Sequence, residues 1–487
     1  MAPSPSSQAT EATEATPLLP ATKPYSVFTT NQKRLIILTA ALASSFSPLS
    51  ANIYYPALNS IAADLRVTSA QINLTITTYM LCQGLAPTFM GSFADQAGRR
   101  PAYILCFAIY ITGNIALALQ HSYPALLILR AIQSSGSSGT VALSSAVAAD
   151  VITSAERGTY MGLTSLGIIL APSLGPLLGG LLSQYLGWRS IFWFLALASG
   201  IVFLPLVLFF PETGRKIVGD GSIPPTGWNR SVLAWYRDPA PSPSPTPSEP
   251  EPEPRITLPN PLSTLRLLLH RPTGLILLAN GIIFASYYAV TAGIPSQFHQ
   301  IYHPNDLAIG LIFIPAGIGS LLGTTFNGLI VDWNYRRLKG QAGIPVDQPR
   351  KQDQEGFPIE QARLQVGGPM TILATLTILL YGPIIDTHPP LPLALALIFV
   401  ICFTITAAYN ILNVLIVDLH YSTPATAMAA NNLVRCFLGA AATGLVHPMI
   451  QRWGNGVTYT AVAGAMGVGW VLLGVVYRFG LFWRGHT

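Results

Sequence analysis

Charge is the scarcest property of this chain. Only 9% of its 487 residues are Asp, Glu, Lys or Arg while 51% are hydrophobic, against roughly 25% charge in a soluble domain. Together with a mean hydropathy of +0.47, this excludes an ordinary water-soluble fold. Acids are scarcer than bases, 20 against 26, and none falls near the middle of a long apolar run. Cysteine is nearly missing. Cys82, Cys106, Cys402 and Cys436 all lie within apolar runs and lack metal-ligand spacing, which excludes a disulfide framework and a zinc site and leaves them as small packing residues. Without a metal cluster, a phosphate-binding loop or a nucleophile–base–acid constellation, neither an enzyme nor a cofactor is expected. Residues 1–30, rich in Ser, Thr, Ala and Pro, lack the charged start and apolar core of a cleavable signal peptide.

What the chain has in abundance is apolar stretches long enough to cross a bilayer, which takes about 20 residues of helix. Twelve are read, at 35–57, 71–93, 102–120, 124–148, 159–182, 190–211, 272–295, 307–331, 367–386, 391–417, 425–450 and 457–479. They are too long and too uniformly apolar for barrel strands, so the spans are α-helices and the chain is an all-α integral membrane protein. Its expected layout is a disordered N-terminus (1–33), a six-helix bundle (34–211), a Pro-rich linker (212–271), a second six-helix bundle (272–480) and a short tail (481–487). The linker composition, with Pro alternating with Ser, Thr and Glu, cannot bury a core. A long charged loop is expected at 332–366. Of the 26 Lys and Arg, 21 fall in the termini, the even-numbered loops and the linker, so both termini are expected in the cytoplasm. The positive balance therefore calls for no nucleic-acid partner.

One polar pattern occurs twice. Gly91, Asp95, Arg99 and Arg100 recur as Gly328, Asp332, Arg336 and Arg337, each displaced by 237 positions. In the first copy Gly91 permits close helix approach, Gly98 a tight turn, and Pro101 a helix start. Asp95 can pair with an Arg or face a helix N-terminus, and Arg99 and Arg100 can reach Asp150 and Glu156. Such a cluster is expected to latch two bundles together on the cytoplasmic side. The second copy has Asn334 and Tyr335 where the first has its turn glycine, so the first is expected to be the tighter.

The stretch from Gly91 to Arg100, Arg130-x-x-Gln133-x-x-Gly136, and Gly175-Pro176-x-x-Gly179-Gly180 resemble three signatures of the major facilitator superfamily. Ala171, where the last signature often has Gly, and Gln96, where the first often has Arg, depart from the pattern, and Gln96 removes one potential latch charge. Within that superfamily, Phe46 to Pro56, Glu156-Arg157-Gly158, Gly187-Trp188-Arg189, and Asn410-x-x-Asn413 with Asn431-Asn432-x-x-Arg435-Cys436 resemble the fungal drug:proton antiporters. That group also contains exporters of citrate and of secondary metabolites. The resemblance implies two pseudo-symmetric six-helix bundles rocking about a central cavity, working as a monomer in the plasma or vacuolar membrane, with a small molecule and protons as partners. The glycines and prolines of the fifth span, Gly167, Gly175, Pro176, Gly179 and Gly180, form a face without bulk where bundles can pack.

Polar groups deep in the bilayer carry the chemistry. Arg130 and Arg435 lie about 10 and 15 Å into their spans at 1.5 Å per residue, and a charge at that depth marks a functional site. With no deep carboxylate, the interior is cationic and suits an anionic substrate, since guanidinium holds carboxylate bidentately. Further cavity candidates are Asn52, Tyr55, Gln83, Tyr287, Tyr288, Tyr409, Asn410, Asn413, Asn431 and Asn432. For proton coupling the candidates are Asp64, Asp418 and His447, with Asp95 and Asp150 beside them. The expected activity is export of an organic acid or acidic metabolite by proton antiport. A broad drug pump, and a non-transporting sensor on the same scaffold, remain the alternatives.

Overall fold

The computed structural model describes residues 26–152, 157–237, 267–341, 358–420 and 424–484, and it contains helices and no strand among them. The first half comprises α1 (Thr30–Asn52), the short α2 (Leu58–Asp64), α3 (Ser69–Ala97), α4 (Arg99–Leu119), α5 (Tyr123–Val151), α6 (Arg157–Leu186) and α7 (Arg189–Phe209). Two short helices follow, α8 (Arg215–Val218) and α9 (Val232–Arg237). The second half comprises α10 (Arg271–Tyr302), α11 (Asp306–Gln341), α12 (Ile359–Asp386), α13 (Leu391–Leu419) and α14 (Pro424–Arg484). The last of these is two helices merged across a kink, because Gly454 has φ 76°, a value only glycine adopts freely. Counted that way, twelve long helices among the described residues stand where twelve spans are read, six before residue 238 and six after residue 266. All cross between one face rich in Lys and Arg, here the basic face, and an opposite face.

Local signals explain the boundaries. Thr29 with Gln32 and Thr68 with Gln71 form complete capping boxes that start α1 and α3, satisfying N–H groups that a helix leaves orphaned. Proline occupies the first turn of α5, α10 and α13, where no N–H is missed. Between α3 and α4 the chain turns on Gly98 alone, at φ 114°. Helix α4 starts at Arg99, so Pro101 lies within its first turn rather than opening it.

Two expectations about loops change. Helix α11 continues to Gln341, so residues 332–341 are helix and not loop. The linker begins later than 212: Glu212 is 2% exposed, Val27 donates to the carbonyl of Asp220 at 3.0 Å, and Arg100 donates to the carbonyl of Trp228 at 2.7 Å. Residues 212–237 thus fold back on the basic face of the first half. The Pro-rich segment proper lies outside the described residues. So do Glu156 and the side chains of Arg157, Gly167 and Asp332.

Within each half, helices pack through missing side chains. A methyl on Gly136 of α5 would sit 2.6 Å from the amide nitrogen of Tyr110 and 2.7 Å from the carbonyl of Cys106, so α4 and α5 touch backbone to backbone there. The halves meet along two lines, α6 against α11 and α3 against α14. The four cysteines are free, three of them buried. Gly136→Val should therefore cost at least about 1–3 kcal/mol of overpacking, whereas Gly464→Ala, with open space around it, should be neutral or slightly stabilising. Thermal unfolding of the detergent-solubilised chain measures both, and equal midpoints for the two variants would contradict this packing.

Candidate functional site

Both halves line a cavity of about 370 Å³, inside the roughly 300–1,000 Å³ range of small-molecule sites. The first half supplies Ser47, Pro48 and Asn52 from α1, Gln83 from α3, Val141 from α5 and Pro172 from α6. The second half supplies Phe284, Tyr287 and Tyr288 from α10, Ser320 and Thr324 from α11, Ile405, Thr406, Tyr409 and Asn410 from α13, and Arg435 from α14. The aromatic rings all come from the second half, and polar side chains come from both. Phe284 packs on Tyr288 and Tyr409 with centroids 4.7 and 5.4 Å apart. Asn410 donates to Thr324 at 3.0 Å and Asn52 to the carbonyl of Pro48 at 2.7 Å.

Arg435 is the one charged residue among those lining the cavity. Its guanidinium lies 4.6 Å above the Phe284 ring and donates through Nε and Nη2 to Asn432 Oδ1 at 3.1 and 2.6 Å. No carboxylate lines the cavity. A cation held by a ring and an amide keeps its charge unneutralised and available to a ligand.

Of twelve residues selected from sequence, Asn52, Gln83, Tyr287, Tyr288, Tyr409, Asn410 and Arg435 line the cavity and the other five do not. Arg130, 1% exposed, is sealed inside the first half. The rings of Tyr54 and Tyr79 sandwich it at 4.2 and 4.4 Å, and Nη1 donates to Gln133 Oε1 at 2.6 Å. Gln133 passes the chain on to Asn114 at 2.7 Å, so Arg130 braces α1, α3, α4 and α5 where sequence depth alone made it a ligand contact. Tyr55 stacks on Phe313 of the other half, centroids 5.5 Å apart. Asn280, Asn413 and Asn431 bond one another at 2.8 to 3.0 Å, which ties α10, α13 and α14 together. Asn432 stands behind Arg435. Phe284, which the sequence reading missed, was signalled by its spacing of three and four residues from Tyr287 and Tyr288, one helical face.

The seam between halves is closed towards the face opposite the basic one. A methyl on Gly180 would meet the Asp306 carbonyl at 2.7 Å, one on Gly310 the Pro176 carbonyl at 2.6 Å. Asn59 donates to the carbonyl of Pro295 at 2.9 Å. Asp306 accepts hydrogen bonds from Ser60, at 2.6 Å, and from Ser183, drawing a carboxylate of the second half onto two hydroxyls of the first. That residue was missed because it opens α11 as an inconspicuous helix-start acid. Gly175 and Gly179 pack on Asn52 and Ile53 of their own half, while Gly180 and Pro176 reach the other bundle. Towards the basic face, Gly91 and Gly328 have open space beside them.

On the basic face the ion pairs of Arg99 with Asp95 and Asp150, and of Arg363 with Asp418, stay within their halves. Arg99 donates to Asp150 at 2.9 Å and Asp95 at 2.5 Å, and Arg100 donates to the Trp228 and Val207 carbonyls, both at 2.7 Å. Burial raises the Asp150 carboxyl above its ordinary value, with Arg99 pulling it back. Glu212 Oε1 accepts from the Arg99, Thr213 and Gly214 amides at 2.7 to 3.0 Å, and Oε2 from the Arg100 amide at 3.0 Å, capping the orphan N–H groups and positive dipole of α4. This arrangement holds the first half together. In the second half the matching ion pair is Arg363 to Asp418, at 2.9 Å, joining the start of α12 to the end of α13 as Arg99 to Asp150 joins α4 to α5. Arg336 and Arg337 are exposed on α11. Among the described residues, the helix-to-helix ion pair of the second half is thus made by Arg363.

Among the proton-coupling candidates, Asp64 accepts from Trp188 and Arg189 at 3.0 and 2.9 Å, and Asp418 is bound to Arg363. His447 is 2% exposed, with no partner for Nδ1.

A family model described as Major Facilitator Superfamily matches residues 40–444. The chain is 44% identical over 473 residues to the MFS-type transporter tstD of Talaromyces stipitatus, covering 96% of this chain and 85% of that protein. It is 33% identical over 469 residues to Citrate exporter 1 of Aspergillus niger, covering 95% and 88%. In fold it matches the crystal structure of the human organic anion transporter MFSD10 (TETRAN), with TM-score 0.57 and 17% identity over 91% of this chain and 99% of that one.

Losing the Asp306 carboxylate removes two charge-assisted bonds, each about 1.5–3 kcal/mol. With a cysteine placed at Leu307, Asp306→Ala should speed labelling by an impermeant thiol reagent from the face opposite the basic one by about tenfold or more. Ser60→Ala with Ser183→Ala should reproduce the effect. Unchanged labelling in both would show that these bonds do not seal the face.

Proposed function

The chain belongs to the major facilitator superfamily and is a membrane transporter of a small molecule rather than an enzyme, and from this we propose that it exports an organic anion. The substrate is a compact organic acid or acidic metabolite with an apolar body. It enters the cavity from the cytoplasm, which the basic face meets, and leaves at the opposite face when the two halves rock. The observation that carries this reading is Arg435, the single charge on the cavity wall. A carboxylate on its guanidinium gains charge-assisted, bidentate bonding, and a lipophilic cation in the same place meets repulsion.

The make-up of the lining supports the rest of the reading. Phe284, Tyr287, Tyr288 and Tyr409 offer rings to an apolar or unsaturated body, while Asn52, Gln83, Asn410 and Thr324 offer hydrogen bonds to its oxygens. One cation matches one carboxylate; further charges on a substrate would go uncompensated in a low-dielectric site. The likeness to a citrate exporter favours an acid, and the aromatic wall favours one more apolar than citrate.

Proton antiport supplies the driving force in this reading, across the plasma membrane and by a single copy of the chain. Of the three coupling candidates, Asp64 and Asp418 are engaged by arginines, which favours His447, buried in the second half, as the group that gains and loses a proton.

In vesicles, Arg435→Ala should cut transport of an aromatic monocarboxylate about tenfold or more, with Arg435→Lys recovering part of it. Arg130→Ala should instead lower thermal stability and reduce transport of acidic and neutral compounds alike. Collapsing the pH gradient should abolish uphill accumulation. Equal losses in Arg435→Ala for acids and amines would overturn the anion reading, and accumulation independent of pH would replace antiport with another driving force.

A further inference from the structure

Asn432 lies outside the cavity, yet it holds the one charge inside it. Its Oδ1 takes two N–H groups from Arg435, Nε at 3.1 Å and Nη2 at 2.6 Å. Its Nδ2 donates across the seam to the carbonyl of Gln83 at 3.1 Å, with the Gly84 carbonyl at 3.5 Å. One amide thus joins the guanidinium on the cavity wall to the backbone of the opposite half. The junction exists because Gly84 has no side chain: a methyl there would sit 3.0 Å from Cys436 Cβ, so α14 comes close enough to α3 for Asn432 to reach. The Nε–Nη2 edge that Asn432 occupies is one of the paired N–H edges by which a guanidinium takes a carboxylate in two parallel bonds.

We propose that Asn432 is the relay that couples ligand binding to the contact between the two halves. An organic anion displaces the neutral Asn432 oxygen from the Arg435 fork, because a carboxylate makes bonds about twice as strong with a guanidinium as an amide oxygen does. Phe284 stays beneath the guanidinium and keeps it in place. Once released, the Asn432 oxygen keeps only the weak contact of the Cys436 thiol, at 3.7 Å, and the bond of Asn432 to Gln83 loses the orientation that Arg435 imposed. The contact of α3 with α14 loosens at the level of the cavity, where the described cross-seam bonds nearest the basic face are found. A neutral molecule of the same shape fills the aromatic wall but leaves the fork and the seam as they were. Asn432 is in this account a positioning residue acting through Arg435. The inference rests on the anion-transport reading of the same cavity.

The test uses the full chain in lipid nanodiscs, with spin labels on cysteines placed at the exposed positions Lys216 and Gly340, one on each half at the basic face, and with Cys82→Ala. The probes are 1-naphthoate and its uncharged analogue 1-naphthamide, with binding followed by calorimetry. In the parent, naphthoate should change the inter-label distance distribution and naphthamide should not. Asn432→Ala should bind naphthoate at least as tightly as the parent, show the shifted distribution without ligand, and respond no further. Asn432→Asp places a permanent carboxylate on the fork, so naphthoate affinity should fall about tenfold or more. If Asn432→Ala responds to naphthoate as the parent does, or loses binding as fully as Asn432→Asp, the relay is wrong while the anion site stands. If the parent binds no carboxylate, the anion reading fails and the relay falls with it.

Discussion

The close approach of two helix pairs across the middle of the molecule, made possible by side chains that are missing, is what gives this protein a cavity. Gly180 and Gly310 bring α6 and α11 together towards one face, and Gly84 lets α14 reach α3 at mid-depth. Between those contacts the larger side chains of α10 and α13 keep the halves apart. A bilayer offers no hydrophobic gain for pressing helix on helix, so packing of this kind and a few polar bonds carry the association. Among the described residues the polar bonds across this seam are few, chief among them Asn59 to Pro295, Ser60 and Ser183 to Asp306, Thr77 to Thr443 and the Ala440 carbonyl, and Asn432 to Gln83. A seam fastened at few points can separate without dismantling either half.

The two intramembrane arginines show how surroundings decide the role of one residue type. Neither has a carboxylate partner, and a guanidinium removed from water must be held by dipoles and ring faces or be strongly destabilising. Arg130 receives two tyrosine rings and the Gln133 amide, all from its own half, and is closed off. Arg435 receives one ring, one amide and a cavity. The first is enclosed by its own half, with Nε and Nη2 left without a hydrogen-bond partner, and the second faces the cavity and accommodates one further anionic group.

The fold was legible because hydrophobic length is read directly from sequence and the bilayer admits few alternatives: the twelve spans and the halves came from apolar runs and from Gly, Pro and Arg spacing. Seven of the twelve cavity candidates were legible for the same reason, since a polar side chain in a span must face either a helix or a hole. What sequence could not supply was which of those two it faces. Asn413 and Asn431 face helices, as does Arg130. Equal spacing in the displaced Asp and Arg-Arg pattern does not mean equal secondary structure: α3 ends at Ala97 while α11 runs on to Gln341, leaving Arg336 and Arg337 on a helix flank, and Arg363 makes the ion pair. Glu212 was hidden at the edge of a linker-like composition, and its role depends on a turn of α4 more than a hundred residues earlier.

All of this converges on a central cavity whose only formal charge is positive. The most direct measurement is uptake by purified chain in liposomes of a matched pair, 1-naphthoate and 1-naphthylmethylammonium, which share an apolar body and differ in the sign of the charged group. The account predicts saturable movement of the acid that requires the protein, and none of the amine above protein-free liposomes. Movement of the amine as fast as the acid would contradict it.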